Sequence, residues 1–376
     1  MADTNTDTHR HWDEQRATLA LWAIAGLGPR TLDAVRAFAG GALSRLASAP
    51  VRDWVADVPV PATVRQRLAA VASLDALASR TEEACARTGL QVAFAGSPAY
   101  PARLVGLEDA PPLLFFLGNP GPPRRRLAMV GSRHPDQGFL PFARTFARKV
   151  AEAGVGVVSG AAEGVDRACH WGALDVGAET WAFLGSALDA LDPAQARLLP
   201  HFLERGGVYF SELPPGVRAS TTTFPRRNRL IAGASDAVLV MRAGEGSGAL
   251  YTADAAQAQG RPVFALPGDV WQPAAAGCNA LLADGRARAC TSAEAICAVV
   301  GVHPVRAVPA GRDSGWWEAL SAEARGAYGL LDRAPRSFDE VLAASPLSPA
   351  ALTSALVELE LSGLVVQHPG KRYEKV

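Results

Sequence analysis

The sequence predicts an α/β protein with a mostly parallel central sheet, a small helical domain before it and a winged helix after it. Three observations carry this prediction. Short apolar runs alternate with amphipathic helical patterns through the middle of the chain, which is typical of a parallel sheet covered on both faces. The residues before this region have apolar side chains at helical spacing. The chain ends in three short helical patterns and two strands around a Pro-Gly turn.

The chain has 376 residues, of which 49% are apolar, enough for two or three domains with their own cores. We predict a helical domain over residues 1–90, a sheet domain over 91–300, a linker over 301–316 and a winged helix over 317–376. Lys+Arg and Asp+Glu balance at 37 each, so any attraction to nucleic acid must come from a local patch.

The cysteines and the N-terminus indicate the compartment. The five cysteines are scattered, odd in number and without a Cys-x-x-Cys pair, which argues against a disulfide framework or a zinc site. The first residues lack the apolar core of a signal peptide, and no apolar run approaches membrane-spanning length. We therefore expect a soluble cytoplasmic protein with no membrane segment and no metal or other cofactor.

The helical domain is rich in Ala, Leu, Arg and Val from about residue 16 to 87, with breaks at Gly26–Pro29 and Pro59–Pro61. The first break is similar to half of a helix-hairpin-helix, or SAM-like, module whose Gly-x-Gly turn offers N–H groups to a DNA phosphate. The second half has no matching glycine turn. A helical packing module without DNA contact is therefore an equal alternative.

The sheet domain begins with a buried strand at Leu113–Leu117 and continues as repeated strand, turn and helix. Further strands are predicted at residues 127–130, 155–159, 180–184, 208–210, 237–240 and 263–266, and helices at 139–153, 165–174 and 250–259.

In the winged helix, the predicted helices are 322–331, 337–344 and 349–361, each opened by Ser or Pro at a cap position.

Three glycine turns follow strands of this sheet: Gly131-Ser132-Arg133, Ser159-Gly160 and Gly246-Ser247-Gly248. A helix N-terminus presents unpaired N–H groups and a partial positive charge. Ligands of parallel sheets bind at the carboxyl ends of the strands, where all three turns are placed. The sequence therefore predicts one anion site that holds a phosphate chain.

An arginine cluster lies between the second and third turns: Phe224, Arg226, Arg227, Asn228 and Arg229. A surface ion-pair network is the alternative for such a run. Because the cluster precedes a buried strand, phosphate binding by the guanidinium groups and base stacking on Phe224 are favoured. Glu212 is either a pocket carboxylate or the group that holds one of these arginines.

Several enzyme classes lack their motifs. A Gly-x-Gly-x-x-Gly dinucleotide fingerprint, a P-loop Gly-Lys-Ser/Thr and a Gly-x-Ser-x-Gly elbow are all absent. Asp166 and His170 lie four residues apart on one helical face, which fits a metal or acid–base pair. With no second cluster of ligands in sequence, a helix-start aspartate and a structurally satisfied histidine are favoured.

The ordered set of motifs resembles the DNA-processing protein A family, also called DprA or Smf. The motifs that carry the resemblance are Tyr100-Pro101 with Leu104 and Leu107, Pro112 to Phe115, Val130 to Arg133, Val158 to Gly160, Gly164 to Asp166, His170, Gly172 to Leu174, Ser211-Glu212, Phe224 to Arg229, Ile231 to Gly233, Ser247-Gly248, Thr252-Ala253, Gly260-Arg261, Leu266 to Gly268 and Gly277 with Asn279.

This resemblance implies a bacterial, non-enzymatic protein with an extended Rossmann fold that dimerises. It would bind and protect incoming single-stranded DNA during natural transformation, in competent cells, and help to load the RecA recombinase for homologous recombination. Single-strand-binding protein is a further candidate partner. The DNA pocket implied on this chain consists of Gly131, Ser132, Arg133, Ser159, Gly160, Arg167, Phe224, Arg226, Arg227, Asn228, Arg229, Gly246, Ser247 and Gly248.

Two departures from the family pattern lie in this pocket. The loop from His134 to Gly138 is short and lacks the usual Ser or Thr and Tyr, and Glu163 stands where an arginine is usual, with Arg167 as a candidate compensating cation.

The third winged-helix segment, Pro349–Leu361, has two glutamates and no Lys or Arg, so we expect a protein-interaction role there. Any DNA contact of that domain would be limited to Lys371, Arg372 and Lys375.

Two other classes of function stay open. A nucleotide-processing enzyme of the lysine-decarboxylase-like phosphoribohydrolase type would need a Pro-Gly-Gly-x-Gly-Thr turn and a following catalytic glutamate, and the turn from Gly246 has neither. A scaffold for partner proteins would bind no DNA.

Overall fold

The computed structural model describes residues 5–24, 26–47, 50–122, 124–136, 138–220, 222–301, 320–332, 334–362, 364–368 and 370–375. The chain divides into two compact units, residues 1–304 and 305–376. Except for Gly301, the predicted linker over 301–316 lies outside the described residues.

In the described part of the first unit, five α-helices come first: α1 (Asn5–Trp22), α2 (Pro29–Phe38), α3 (Ser44–Ala47), α4 (Ala62–Ala69) and α5 (Leu74–Thr88). Both predicted breaks are present. Gly28 is the N-cap of α2 and Pro29 occupies its first turn, where the missing N–H costs nothing. The Trp22 indole N–H donates to the Glu212 carbonyl oxygen at 2.7 Å, which fastens the end of α1 to the sheet.

The sheet has nine strands: β1 (Gln91–Phe94), β2 (Leu113–Leu117), β3 (Arg126–Gly131), β4 (Gly156–Ser159), β5 (Thr180–Phe183), β6 (Gly207–Ser211), β7 (Ala237–Arg242), β8 (Val263–Ala265) and β9 (Arg288–Ala289). Their order is β1-β2-β6-β5-β4-β3-β7-β8-β9. The pairs from β6 to β9 are parallel, whereas β1 and β2 form an antiparallel extension beside β6.

The strand order fixes where a ligand can bind. From β3 the chain builds outward through β4, β5 and β6, and then returns to place β7 on the other side of β3. The loops that leave the carboxyl ends of β3 and β7 therefore run in opposite directions. Such a switch point opens the crevice in which ligands of open parallel sheets bind.

Seven helices follow strands of the sheet: α6 (Phe139–Glu152), α7 (Val165–Leu174), α8 (Pro193–Glu204), α9 (Thr223–Gly233), α10 (Leu250–Ala258), α11 (Ala276–Ala283) and α12 (Ala293–Val299). Alternate residues of β3 belong to two different cores. Leu127 and Met129 pack with residues of α6, α7 and α12, whereas Ala128 and Val130 pack with residues of α9, α10 and α11. Both faces of the sheet are thus covered, as the sequence predicts.

Helices α8 and α9 are absent from the sequence-based prediction. Prolines lie inside both of them, Pro193 and Pro200 in α8 and Pro225 in α9, and the arginine cluster dilutes the apolar pattern of α9. Pro193 and Pro225 stand in the first turn of their helices, where proline is tolerated.

The second unit contains α13 (Ala322–Gly329), β10 (Arg336–Ser337), α14 (Phe338–Ala343), α15 (Pro349–Leu361), β11 (Val365–His368) and β12 (Arg372–Lys375). The strands form a sheet of order β10-β12-β11. Three helices and a strand pair confirm the winged helix, although Gly363 and Pro369 of the predicted hairpin lie outside the described residues. The Glu358 carboxylate of α15 accepts hydrogen bonds from the Ser321 N–H and hydroxyl. Among the described residues, no helix is long and apolar enough to cross a membrane.

Candidate nucleic-acid interface

A pocket of about 520 Å³ lies in the crevice between the carboxyl ends of β3 and β7. We name it the switch pocket. The Gly131–Arg133 and Gly246–Gly248 turns both line it, as we expected from their positions after strands. The other lining residues are Val130, His134, Ala162, Asp166, Phe224, Pro225, Arg227, Asn228, Ile231, Gly244, Glu245, Ala249, Tyr251 and Thr252.

A second, larger pocket of about 950 Å³ adjoins the first and extends over the carboxyl ends of β4 and β5. We name it the side pocket. It is lined by Gly160, Glu163, Arg167 and Arg218 among others, and it shares five residues with the switch pocket: Arg133, His134, Ala162, Phe224 and Arg227. The Ser159-Gly160 turn therefore contributes to the side pocket through Gly160, and the two pockets meet at Arg133 and Phe224.

Helix α9 divides the arginine cluster between two faces. Phe224, Arg227, Asn228 and Ile231 line the switch pocket. These positions have the three- and four-residue spacing of one helical face. Arg226 and Arg229 line neither pocket.

Three candidate DNA ligands, Ser159, Arg226 and Arg229, line neither pocket. Ser159 is fully buried, and its hydroxyl donates to the Met129 carbonyl oxygen at 2.6 Å instead of facing a pocket. Arg229 contacts two carboxylates, Glu212 at 2.6 Å and Asp109 at 3.0 Å, so Glu212 is the group that holds this arginine. Arg226 is exposed and lies near Gly28 of the helical region. The reason is helical periodicity, which turns Arg226 and Arg229 away from the pocket.

Phe224 stands where the two pockets meet. The Arg133 guanidinium carbon lies 5.1 Å from the centroid of its ring, within the range of a cation–π contact. On the sheet side, a Cβ at Gly185 would lie 3.0 Å from a ring carbon of Phe224, so glycine at 185 lets the ring lie close to the backbone. Half-buried Phe224 thus offers an aromatic ring with a cation over it.

Arg227 is nine-tenths buried and acts from beneath the pockets. Its guanidinium donates to the carbonyl oxygens of Gly160, at 2.6 Å, and Phe183, and to the Asn228 side-chain oxygen at 3.1 Å. Burial lowers the pKa of Arg227 to about 10, and the Asp166 carboxylate opposes this shift. A Cβ at Gly160 would lie only 2.5 Å from the Arg227 guanidinium, which accounts for the glycine there.

The Asp166 carboxylate accepts hydrogen bonds from two of the N–H groups that the sequence predicts to bind a phosphate. Its two carboxylate oxygens accept from the Gly131 N–H at 3.3 Å and the Gly160 N–H at 3.1 Å. The Ser132 N–H donates to the Arg242 carbonyl oxygen at 2.7 Å. Burial raises the pKa of Asp166, which the Arg227 charge and the two N–H groups counteract. A bound phosphate would therefore depend on arginine side chains and the Gly246–Gly248 turn more than on the first two turns.

His170 is only in part the satisfied histidine that the sequence favours, because its buried Nε2 has no hydrogen-bond partner among the described residues. It is 2% exposed, and its Nδ1 lies 2.6 Å from the Thr180 hydroxyl. Burial, together with the nearby Arg227 and Arg167 charges, lowers the pKa of His170 to about 3, so the ring is neutral at ordinary pH. No group of three or more His, Cys, Asp or Glu side chains within the described ranges is arranged to hold a metal ion.

The carboxylates around the side pocket differ in their availability. Asp189 accepts the Gly216 N–H, and Asp192 caps the start of α8 through the Ala194 and Gln195 N–H groups. Glu163 is exposed and lines the pocket. It is the anion that departs from the family pattern.

Sequence reasoning missed Arg218 and Tyr251 as lining residues of the two pockets. Arg218 lies in an irregular segment after Pro214-Pro215, where no periodicity marks a facing side. Tyr251 is the second residue of α10, 54% exposed, and its position directly after the third glycine turn is the signal that could have revealed it.

Comparisons with known proteins agree with this architecture. The model of the family described as DNA recombination-mediator protein A matches residues 91–301, and that of the DprA winged helix domain matches residues 317–371. Protein Smf of Synechocystis is 32% identical over 317 residues, which cover 74% of this chain and 78% of that protein. A putative DNA processing protein DprA of Mycobacterium tuberculosis is 37% identical over 287 residues, 74% of this chain and 73% of that protein.

A solved structure leads to the same family. DNA processing protein A from Streptococcus pneumoniae is 28% identical and superposes with a TM-score of 0.62, covering 75% of this chain and 97% of that one. The family models, the relatives and the fold agree. The chain belongs to the DNA recombination-mediator protein A family, known as DprA or Smf.

Proposed function

We propose that this protein binds single-stranded DNA across the joined switch and side pockets. The observation that carries the proposal is the placement of Arg133 and Phe224 where the two pockets meet. Proteins bind single strands with aromatic rings and nearby cations, because bases stack on the rings and the cations attract the phosphate backbone.

The charge of the side pocket supports this proposal. Four arginines line it, Arg133, Arg167, Arg218 and Arg227, against three carboxylates, of which Asp189 and Asp192 are oriented by backbone N–H groups. Guanidinium groups suit phosphate oxygens, since they can donate two parallel hydrogen bonds. Glu163 reduces the positive charge, and Arg167 in the same pocket offsets it.

The binding mode follows from the shape of the site. One or two unstacked bases would enter beside Phe224 while the backbone passes Arg133 and the Gly246–Gly248 turn. Binding would tolerate most sequences, because stacking and phosphate contacts are open to every base. Duplex DNA would fit poorly because its bases are already stacked.

We further propose the biological context that family membership supports. The protein would act without catalysis in the cytoplasm, as a homodimer whose two sites form one longer track. It would protect incoming single strands during natural transformation and help to load RecA, with single-strand-binding protein as a further candidate partner. We also propose the domain organisation that the sequence predicts, with a helical domain to about residue 90, a sheet domain to about 300, a linker to about 316 and a winged helix after it.

The test is fluorescence anisotropy of a labelled single strand, titrated with wild-type protein and with Arg133→Ala and Arg167→Ala. For single strands, the slope of log affinity against log salt becomes shallower by about 0.7 for each phosphate that the protein no longer neutralises. We expect each variant to bind more weakly and with a shallower slope. Arg52→Ala is a matched control, because Arg52 is 86% exposed and lines neither pocket. Unchanged binding by both variants would refute this site.

Incubation with nucleoside monophosphates tests the enzymatic alternative. No release of free base is expected. Release of base that disappears in the pocket variants would instead favour a nucleotide-processing enzyme.

A further inference from the structure

The opposite edge of the sheet, at the amino ends of its strands, carries a second group of arginines. Arg126 is the first residue of β3, and Arg124 and Arg125 precede it. The Arg261 guanidinium, which precedes β8, donates to the Arg103 carbonyl oxygen at 3.2 Å. We name these five residues, Arg103, Arg124, Arg125, Arg126 and Arg261, the amino-edge cluster.

Two carboxylates join this cluster into one network. Asp236, directly before β7, accepts from the Arg103 guanidinium, from the Arg125 guanidinium at 2.8 Å and from the Arg126 backbone N–H at 2.8 Å. Glu179, directly before β5, pairs with Arg126 at 2.7 Å and lies 3.8 Å from Arg124. Four of the five guanidinium groups contact these two carboxylates, and Arg261 donates to carbonyl oxygens, so the cluster with its two carboxylates has an excess of three positive charges.

The acidic side chains of the network are more deeply buried than Arg124 and Arg125. The side chains of Asp236 and Glu179 are 5% and 10% exposed, whereas those of Arg124 and Arg125 are 52% and 54% exposed. The carboxylates thus lie beneath Arg124 and Arg125, whose exposed side chains face solvent. An ordinary surface ion pair places both partners in water at comparable depth.

Arg126 fixes the base of this surface. Its guanidinium carbon lies 3.4 Å from the centroid of the Trp181 ring, and the side chain is 7% exposed. Burial lowers the pKa of Arg126 and of Arg261, and a neighbouring arginine contributes in each case, Arg124 and Arg103 respectively. Each of these cations is therefore in an environment that an added anion would stabilise.

We propose that the amino-edge cluster binds backbone phosphates of a single strand that also occupies the pockets. This inference rests on the proposed single-strand binding. The six residues of β3 span about 20 Å at the usual rise for each residue. The cluster and the pockets lie at opposite ends of that strand. A short oligonucleotide fills only the pockets, whereas a long strand can pass around the sheet and reach both edges.

A nucleic-acid backbone fits these observations better than an acidic protein surface. Guanidinium groups held in fixed orientations form paired hydrogen bonds with phosphate oxygens, and a backbone supplies phosphates at regular intervals. The cluster would add affinity without sequence preference and would increase the salt dependence.

The experiment compares oligothymidines of about six and about forty nucleotides, a range that brackets typical single-strand site sizes. The variant is Arg124→Ala with Arg125→Ala, and the matched control is Arg52→Ala in the helical region. For the long strand, we expect the double variant to bind at least threefold more weakly and to lower the salt slope by about 1.4, at about 0.7 for each of two phosphates. Binding of the short strand should not change.

Lysine substitutions at the same two positions should restore most of the long-strand affinity, because they restore the charge. Arg124→Ala alone guards against misfolding, since its 3.8 Å contact with Glu179 is the longest in the network. Equal binding of the long strand by the double variant and wild type would overturn the proposal. An equal loss for short and long strands would also overturn it, because the effect would then act through the pockets.

The two proposals fail separately. If wild-type protein binds neither strand, single-strand binding itself is wrong. If the pocket variants fail to weaken short-strand binding while the cluster variants weaken long-strand binding, the pocket assignment is wrong and the cluster is supported. An acidic protein partner would be indicated, against the proposal, if no strand binds but a polyglutamate peptide binds wild type and not the double variant.

Discussion

Replacing Arg227 and Arg133 by methionine separates an arginine that supports the site from one that contacts the ligand. Arg227 is 5% exposed, and its guanidinium donates to the Gly160 and Phe183 carbonyl oxygens. Arg227→Met leaves those two acceptors without this donor and removes the charge that counteracts the burial of Asp166. Each unsatisfied buried group costs about 1–3 kcal/mol. We therefore expect the free energy of unfolding to fall by about 4 kcal/mol, at about 2 kcal/mol for each of the two acceptors.

The matched variant is Arg133→Met. Arg133 is exposed and lies over Phe224, so its replacement should change the free energy of unfolding by about 0.5 kcal/mol or less. Thermal unfolding followed by circular dichroism should show a fall in Tm of about 10 °C for Arg227→Met, at about 2–4 °C for each kcal/mol, and little change for Arg133→Met. Single-strand affinity, measured below both transitions, should fall for Arg133→Met. A stable Arg227→Met protein with weakened DNA binding would refute this reasoning, because it would make Arg227 a direct ligand.

Three further predictions concern Phe224, His170 and the winged helix. Gly185→Ala places a Cβ against Phe224. We expect it to weaken single-strand binding about threefold in anisotropy titrations, because it shifts the ring without removing the stacking contact, which is worth about 1–3 kcal/mol. Unchanged affinity would show that the ring position is not critical. The pKa of His170 is lowered to about 3 in the folded protein, so between pH 6.5 and 3 only the unfolded chain binds a proton there. The free energy of unfolding therefore falls by about 1.4 kcal/mol for each pH unit below 6.5. His170→Asn should remove this part of the acid sensitivity in urea unfolding between pH 6.5 and 4.5; parallel pH profiles would contradict it. Lys371→Ala in the winged helix should leave single-strand affinity within twofold in the same titrations, and a larger loss would place DNA on that domain.

The sheet could be predicted from the sequence because its strands are short apolar runs bounded by glycine turns. The side chains of β3 are nearly all buried and alternate between the two cores, so the apolar pattern is continuous and strong. The switch pocket could also be located, since both Gly131–Arg133 and Gly246–Gly248 follow strands that meet at the switch point.

The roles of individual arginines could not be predicted in the same way. Without recognising α9 as a helix, the run from Arg226 to Arg229 has no facing side, and all three arginines are equivalent candidates. The structure places only Arg227 toward the pockets and holds Arg229 with Glu212 and Asp109. The apolar pattern of α9 is too weak to show that it is a helix, because the segment is polar and has a proline in its first turn. Which of its side chains face the pockets becomes clear only from the tertiary packing.

The use of the backbone N–H groups also depends on tertiary structure. Glycine turns at strand ends predict an anion, and the anion that the structure places on Gly131 and Gly160 is the protein's own Asp166. Sequence separation of 35 residues between Gly131 and Asp166 conceals that contact. Asp166, in the motif Gly164 to Asp166, therefore joins two of the predicted turns by hydrogen bonds.

The most direct test of the account is the affinity of wild type and Phe224→Ala for a labelled single strand and for a duplex of equal length, at several salt concentrations. We expect wild type to prefer the single strand and Phe224→Ala to lose about tenfold or more of that affinity, because a base stacked on an aromatic ring contributes about 1–3 kcal/mol. Equal binding of single strand and duplex by wild type, or unchanged single-strand binding by Phe224→Ala, would contradict it.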